Sequence, residues 1–382
     1  MTEELEPGPQ TAANPVTAQP APDHSDISPG EPAIGVVIPV CNRRENLSLL
    51  LASLARQTTI AFHVVVADDG SSDGTRAMVE SLAATPVWAG RLRWIGCGPD
   101  FGVRTARARN IGVANLPEDT TLVVFLDSDL VVQTTAIAAF VDLHRRHPDT
   151  VLTGLVDWLP PGPHTEVEQA IATQTLGWLR QKVPPGIPRR VGGTFVGPEL
   201  RSGLFDHDTQ VPLRPEWALP LNSAWPISVY WRLGGFDEAM TGYGYEDNEL
   251  GARAFAAGVH CLPRPELWAL HVWHPKPDVA MAENQRNLDY YLRRHGPNPL
   301  METDVDWRLW FHYHVERGGI AVRGSHTLWA LDANRHHRLA LPDASWLGLL
   351  GHYTGSVHQL PWADPDELAK ALDHGTAHRT DD

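Results

Sequence analysis

Val123-Val124-Phe125-Leu126-Asp127-Ser128-Asp129-Leu130-Val131-Val132 is an apolar run interrupted by two carboxylates one residue apart. A strand buried on both faces of a parallel sheet is apolar throughout, and the flanking residues read as such a strand. Burying an unpaired carboxylate is costly or forces its pKa up. Asp127 and Asp129 are therefore expected at the strand's carboxyl end, where open α/β sheets bind ligands. Residues i and i+2 leave an extended chain on the same side. Hard divalent cations such as Mg²⁺ and Mn²⁺ take oxygen ligands of this kind and share them with phosphates. The alternative is an acidic turn that ends a strand.

Working outward, Ala33 to Val40 is a β-branched run, and Asn42-Arg43-Arg44-Glu45 reads as an N-cap with Glu three residues on. Leu47, Leu50, Leu51 and Leu54 follow at helical spacing. A second strand, Phe62 to Ala67, ends in Asp68-Asp69-Gly70-Ser71-Ser72-Asp73-Gly74, and a third lies near Leu92 to Ile95. A helix is expected over Thr105 to Ala114. Strand and helix thus alternate up to residue 150, which implies parallel pairing with helical crossovers. Gly-x-Gly-x-x-Gly does not follow the first strand, and no P-loop occurs, so neither a dinucleotide-binding Rossmann domain nor a P-loop NTPase is supported.

One helix is expected around Glu166 to Gln181 within a Pro-, Gly- and Trp-rich region. Pattern returns at Asn222-Ser223-Ala224-Trp225-Pro226, Gly234-Gly235-Phe236-Asp237-Glu238 and Gly242-Tyr243-Gly244-Tyr245-Glu246-Asp247. His271-Val272-Trp273-His274 closes this region. Thr327 to Leu331 and Arg338 to Leu341, flanking Asp-Ala-Asn, read as a β-hairpin. Three parts are expected: a disordered acidic, Pro-rich tail (1–32), a mostly parallel α/β domain (33–299) and a small C-terminal module (300–382) that could recognise an acceptor. The tail holds seven prolines and six acids with no lysine or arginine.

The net charge of −15 argues against nucleic acid or an anionic membrane as partner. Three scattered cysteines lack metal-ligand spacing and read as free thiols. No apolar stretch reaches the ~20 residues of a membrane helix, and no signal peptide is visible, so a cytoplasmic protein is expected.

Taken together, these pieces resemble a family-2 glycosyltransferase of the GT-A fold. The matching segments are Val36 to Arg43, Val66 to Gly74, Ala108-Arg109-Asn110-Ile111-Gly112, Asp127-Ser128-Asp129, Gly234 to Glu238 and Tyr245-Glu246-Asp247. The resemblance covers about residues 33–299. It implies a Rossmann-like, mostly parallel sheet flanked by helices, and transfer of one sugar from a nucleotide-sugar, a UDP-sugar by preference. It further implies nucleotide-sugar contacts from Pro39, Cys41, Asn42, Asp69, Arg104 and Asp127, with Asp69 on the uracil. Cys41 stands where an aromatic residue is frequent in the family, so stacking on the base is not implied.

A metal site of Asp127, Asp129 and His271 is implied, with His274 a possible substitute. Neutral imidazole favours Mn²⁺ over Mg²⁺. Gly242 to Asp247 resembles the acceptor motif of galactosyltransferase-like and chondroitin-polymerase-like members. That casts Asp247 as the base that takes the acceptor proton, with Glu246 on acceptor hydroxyls, in a single displacement with inversion. Trp225 and Trp231 are candidates to stack on an acceptor sugar. The acceptor is a glycan, a natural product or a peptide.

Blander alternatives exist for each element. Glu246 to Glu249 also fits an acidic first helical turn, Asp68 to Ser71 an ordinary turn with a helix cap, and Arg104, Arg107 and Arg109 a solvated helix face. At the level of the protein, the alternatives are a catalytically silent scaffold on the same fold, or a nucleotidyltransferase on a related sheet.

Overall fold

The computed structural model describes residues 33–98, 104–184, 189–192, 194–199, 210–213, 215, 218–275 and 280–295, and beyond them the backbone of five strands between residues 313 and 380. The tail expected over 1–32 lies outside the described residues. The first unit runs β1 (Ala33–Val40), α1 (Arg44–Leu54), β2 (Phe62–Asp68), α2 (Thr75–Ala83), β3 (Leu92–Gly96), α3 (Thr105–Ala114) and β4 (Thr120–Leu126). It continues through β5 (Leu130–Val132), α4 (Ala136–Arg146), β6 (Val151–Trp158), α5 (His164–Ala172) and α6 (Leu176–Arg180). Short strands β7 (Arg189–Val191), β8 (Thr194–Val196) and β9 (Val211–Pro212) lead to β10 (Asn222–Pro226), α7 (Ile227–Leu233), α8 (Glu246–Ala256), β11 (His260–His271) and α9 (Ala280–His295).

The main sheet has nine strands in the order β3-β2-β1-β4-β10-β6-β11-β5, with β9 paired to β11. Strands β3, β2, β1 and β4 are mutually parallel, β10 is antiparallel to both of its neighbours, and β6 and β11 are parallel. Both faces are covered, and the alternation along each strand shows how. Ile34, Val36, Ile38 and Val40 of β1 join Leu122, Val124 and Leu126 of β4 against Leu47, Leu50 and Leu51 of α1. Val37, Val123 and Phe125 face the other way, toward Ala106 of α3 and Val229 and Tyr230 of α7. That is why Val36 to Ile38 of β1 and Leu122 to Leu126 of β4 are apolar throughout.

Helix α3 lies close on β1 because Gly112 has no side chain: a Cβ there would sit 2.4 Å from Val37 Cγ1. Gly112→Ala should therefore destabilise the domain by about 1–3 kcal/mol through overpacking, even though alanine favours helix by about 1 kcal/mol. Urea unfolding measures this, and a neutral or stabilised variant would contradict it.

Strand β1 has β2 and β3 on one side and β4 on the other, so the carboxyl ends of β1 and β4 border the crevice where the strand order reverses. Asp127 follows directly on β4. The run 123–132 is not one strand, however. β4 stops at Leu126, Leu130 N–H donates to Asp127 O across a turn (3.2 Å), and β5 pairs antiparallel with β11. Asp-Ser-Asp is turn-forming chemistry, so the acidic-turn alternative and the strand-end position both hold.

Two further local expectations are revised. The helix expected over 166–181 is split into α5 and α6, with Gln174 between them at φ 58°. Asn42 does not cap α1. Its Oδ1 accepts from Ser72 N–H (2.8 Å), while the N–H of Arg44 goes to Asp73 Oδ2 (2.8 Å). The loops after β1 and β2 are thereby clasped to each other.

A separate antiparallel sheet follows in the order β12 (Tyr313–Val315), β13 (Gly319–Gly324), β14 (Thr327–Asp332), β15 (Arg335–Ala340) and β16 (Ala377–Thr380). The hairpin read from the sequence is β14–β15, closing at Asp332 and Arg335.

Candidate active site

The crevice is lined by the ends of β1, β2 and β4, the exit of β11 and the start of α8. At the β2 end, Asp68 is structural: it accepts from Ser71 N–H and from Trp94 Nε1–H. Asp69 is buried and accepts from the backbone N–H and the guanidinium of Arg104, both at 2.6 Å. The structure thus brings together two of the expected nucleotide contacts, and each Asp69 oxygen keeps a second lone pair for a ligand N–H. Pro39 lies on β1, with Cys41 and Asn42 at its exit. Asn42 takes a left-handed φ of 51° and receives Ser72 N–H.

After β4 the two acidic residues part. Asp127 Oδ1 accepts from Arg109 Nη2 at 2.9 Å. Asp129 Oδ2 lies 2.9 Å from His274 Nε2 and 3.3 Å from His271 Nε2. Val272 N–H donates to Asp129 O (2.7 Å), fixing the turn against the β11 exit. One ligand atom each from Asp129, His271 and His274 lies within 4.8 Å of the others. Two ligands at about 2.1 Å and a right angle on one cation stand about 3 Å apart, so the spacing fits a single ion.

Two features support that fit. Asp129 Oδ1 and His271 Nδ1 are buried without a hydrogen-bond partner among the described residues. His274 Nδ1 is 3.1 Å from Pro275 O, which can only accept; with the proton on Nδ1, Nε2 has a lone pair to offer a cation shared with Asp129. The set differs from the one expected from sequence: His271 and His274 both face Asp129, and the Asp127 contact is with Arg109.

Arg109 is the residue that local pattern missed. Its side chain is 4% exposed, not on a solvated face, and it reaches Asp127 with one nitrogen and Glu246 Oε1 with another (3.3 Å). It also lies over the ring of Phe236. Burial lowers a guanidinium pKa, yet Asp127, Glu246 and Asp247 together raise that of Arg109. Its neighbour Asn110 holds the Gly-Gly-Phe-Asp-Glu segment: Oδ1 accepts from Tyr230 O–H (2.6 Å) and Phe236 N–H (2.9 Å), and Nδ2 donates to Phe236 O. This explains why those two motifs occur together.

Helix α8 begins at Glu246, so the acidic first-turn reading is correct. Glu246 Oε2 is buried without a partner among the described residues. Asp247 is half-buried, and its pKa is pushed up to about 7 by burial and by the neighbouring Glu246 charge, against the pull of Arg109. A carboxylate at that value is matched to proton transfer near neutrality.

Trp225 is a correction. It is 1% exposed in the core, its indole N–H donating to Ser223 Oγ (3.0 Å), and it offers no face to a sugar. Its position on β10, between β4 and β6, buries it. Trp231, at the end of α7, is 50% exposed and keeps a free face.

A doubly covered parallel sheet with an acidic turn at the reversal point is the GT-A type of nucleotide-sugar fold. Two solved structures share it at a TM-score of 0.50: TarS of S. aureus (residues 1–349, in complex with UDP-GlcNAc; 16% identity, 68% of this chain and 65% of that chain) and GalNAc-T7 with UDP, GalNAc and Mn²⁺ (15% identity, 91% and 55%). Residues 35–181 match the family model Glycosyl transferase family 2, which places that segment in the family.

Among curated proteins, it is 33% identical over 290 residues to validoxylamine A glucosyltransferase of Streptomyces hygroscopicus subsp. jinggangensis (strain 5008), covering 73% of this chain and 64% of that protein. Chondroitin synthase of Escherichia coli is 23% identical over 278 residues, 68% of this chain and 39% of that one. The chain thus spans less than two thirds of the length of these relatives. No helix among the described residues is long and apolar enough to cross a membrane.

Proposed function

We propose that the protein is a metal-dependent, inverting glycosyltransferase that moves one hexose from a UDP-sugar to an acceptor hydroxyl. The observation that carries this reading is Arg109. It ties Asp127, two residues from the Asp129–His271–His274 cluster, to Glu246, next to Asp247. In this reading Arg109 links the leaving-group site to the proton-accepting site.

Asp69 and Arg104 would hold the nucleotide base, with Pro39, Cys41 and Asn42 beside it and Asp127 toward the ribose. Asp129, His271 and His274 would hold a divalent cation, Mn²⁺ before Mg²⁺ because two of the three ligands are imidazoles. Such an ion would supply charge neutralisation to the departing diphosphate. Asp247 takes the proton of the acceptor hydroxyl as its oxygen bonds to the anomeric carbon. The bond from that carbon to the diphosphate breaks, UDP leaves with the electron pair, and the configuration inverts. Glu246 binds acceptor hydroxyls through its unpartnered oxygen, and Trp231 is the remaining candidate for stacking on the acceptor. Kinship with a validoxylamine A glucosyltransferase favours glucose as the sugar transferred and an acceptor of the validoxylamine kind.

The test is UDP release from a panel of UDP-sugars with Mn²⁺, with validoxylamine A and simple glycosides as acceptors. Acceptor-stimulated release with at least one donor is expected, and NMR of the product should show an anomeric configuration opposite to the donor's. No release from any donor would favour a silent scaffold.

The rate should also depend on pH. Only unprotonated Asp247 accepts a proton, and its pKa is pushed up to about 7. So kcat/KM should rise with pH through neutrality and level off above it, falling about tenfold per unit on the acid side. A profile flat from about pH 5 to 8 would argue against this base.

A further inference from the structure

The segment that presents Glu246 and Asp247 is conformationally costly. Gly242, Gly244 and Tyr245 all have left-handed φ, at 82°, 93° and 68°. Tyr245 is the residue directly before α8, and a non-glycine residue held there persists only where its surroundings impose it. Those surroundings are α9, which lies outside the family match.

Along one side of α9, three side chains bond to the backbone of this loop. Glu283 Oε2 accepts from Tyr243 N–H (3.1 Å), Arg286 Nη2 donates to Thr241 O (2.9 Å), and Asn287 Nδ2 donates to Gly244 O (2.8 Å). The fit is tight: a Cβ on Gly242 would meet Glu283 Cδ at 2.7 Å, and one on Gly244 would meet Asn284 Nδ2 at 2.2 Å. The two ends of this assembly are fixed as well. Arg294 Nη1 donates to Asp237 Oδ2 (2.6 Å), and His295 Nε2 is 3.1 Å from the fully buried Glu249 of α8.

We infer that Glu283, Arg286 and Asn287 are positioning residues that clamp the left-handed turn before α8 and so aim Asp247 at the acceptor hydroxyl. None of the three touches the donor-side residues in the described contacts, so the clamp acts on the transfer step and not on donor binding. The inference rests on the proposed role of Asp247.

The experiment compares Glu283→Ala, Glu283→Gln, Arg286→Ala and Asn287→Ala with the parent and with Asp247→Asn. It uses the full chain, Mn²⁺ and the best donor–acceptor pair of the panel, and thermal melts accompany the kinetics. Expected is a drop in kcat of at least tenfold for Glu283→Ala and Asn287→Ala, with donor KM within about twofold of the parent. Glu283→Gln, which keeps an acceptor oxygen for Tyr243 N–H, should recover most of the rate. Arg286 is exposed, so Arg286→Ala gives a folded variant even if a buried substitution does not, with an expected three- to tenfold drop in kcat.

Unchanged kcat in the folded variants, or a loss confined to donor KM, would overturn the clamp. So would a Gln variant no better than Ala. If Asp247→Asn itself retains full rate, the assignment of the base fails instead, and the two failures are told apart in one data set.

Discussion

Replacing Asp247 with asparagine should lower kcat by about 10²–10⁴, the range for removal of a general base, while donor binding stays at the parental level. The substitution is nearly isosteric, and the backbone N–H of Asn248 that now bonds Asp247 Oδ1 (2.8 Å) keeps an acceptor. Loss of rate would therefore report lost proton acceptance and not a displaced helix. Stability supplies a control. Because the folded-state pKa is raised to about 7, the protonated form is the one the fold favours. Its stabilisation is complete below the pKa of the unfolded chain and is lost as pH rises through about 7. Above pH 7 the Asn variant, which never ionises, should melt no lower than the parent. A variant that transfers sugar at more than a tenth of the parental rate would show that another group takes the proton.

Asp129→Ala should abolish Mn²⁺-dependent donor binding and lower transfer by about 10² or more, since charge on the diphosphate is no longer met. The reasoning is geometric: Asp129 Oδ2 is the point on which both imidazoles converge. His271→Ala and His274→Ala should each weaken Mn²⁺ affinity and raise the concentration needed for half-maximal rate. Unchanged affinity in His274→Ala would restrict the set to Asp129 and His271. Isothermal titration with Mn²⁺ in the presence of UDP reads all three variants.

Much of this arrangement was legible in the sequence because it depends on local chemistry. Continuous apolar runs mark strands covered on both faces, and Asp127 and Asp129 break such a run where a sheet must meet solvent. Asp69, Arg104, Glu246 and Asp247 enter as candidates through the family resemblance of their segments and not through local pattern. What local pattern could not show is pairing across the chain. Arg109 lies on a helix of low overall hydrophobicity, and its partner Glu246 is 137 residues away, so nothing near it in sequence marks it as buried. Trp225 looked available beside an acceptor motif, but its strand is inserted antiparallel in mid-sheet, which alternation within five residues does not reveal. His271 and His274 leave one strand exit, and only the turn at Asp129 shows that they converge. The α9 clamp bonds to backbone atoms, which carry no sequence signature on the loop they hold.

The proposed role of Asp129, His271 and His274 is to hold a divalent cation that would neutralise the departing diphosphate. It is tested most directly by following sugar transfer in protein stripped with a chelator and then titrated with Mn²⁺. The account predicts no transfer in the stripped protein and saturable recovery, with one Mn²⁺ site per chain that is absent from Asp129→Ala. Transfer at full rate with the chelator in excess would contradict it.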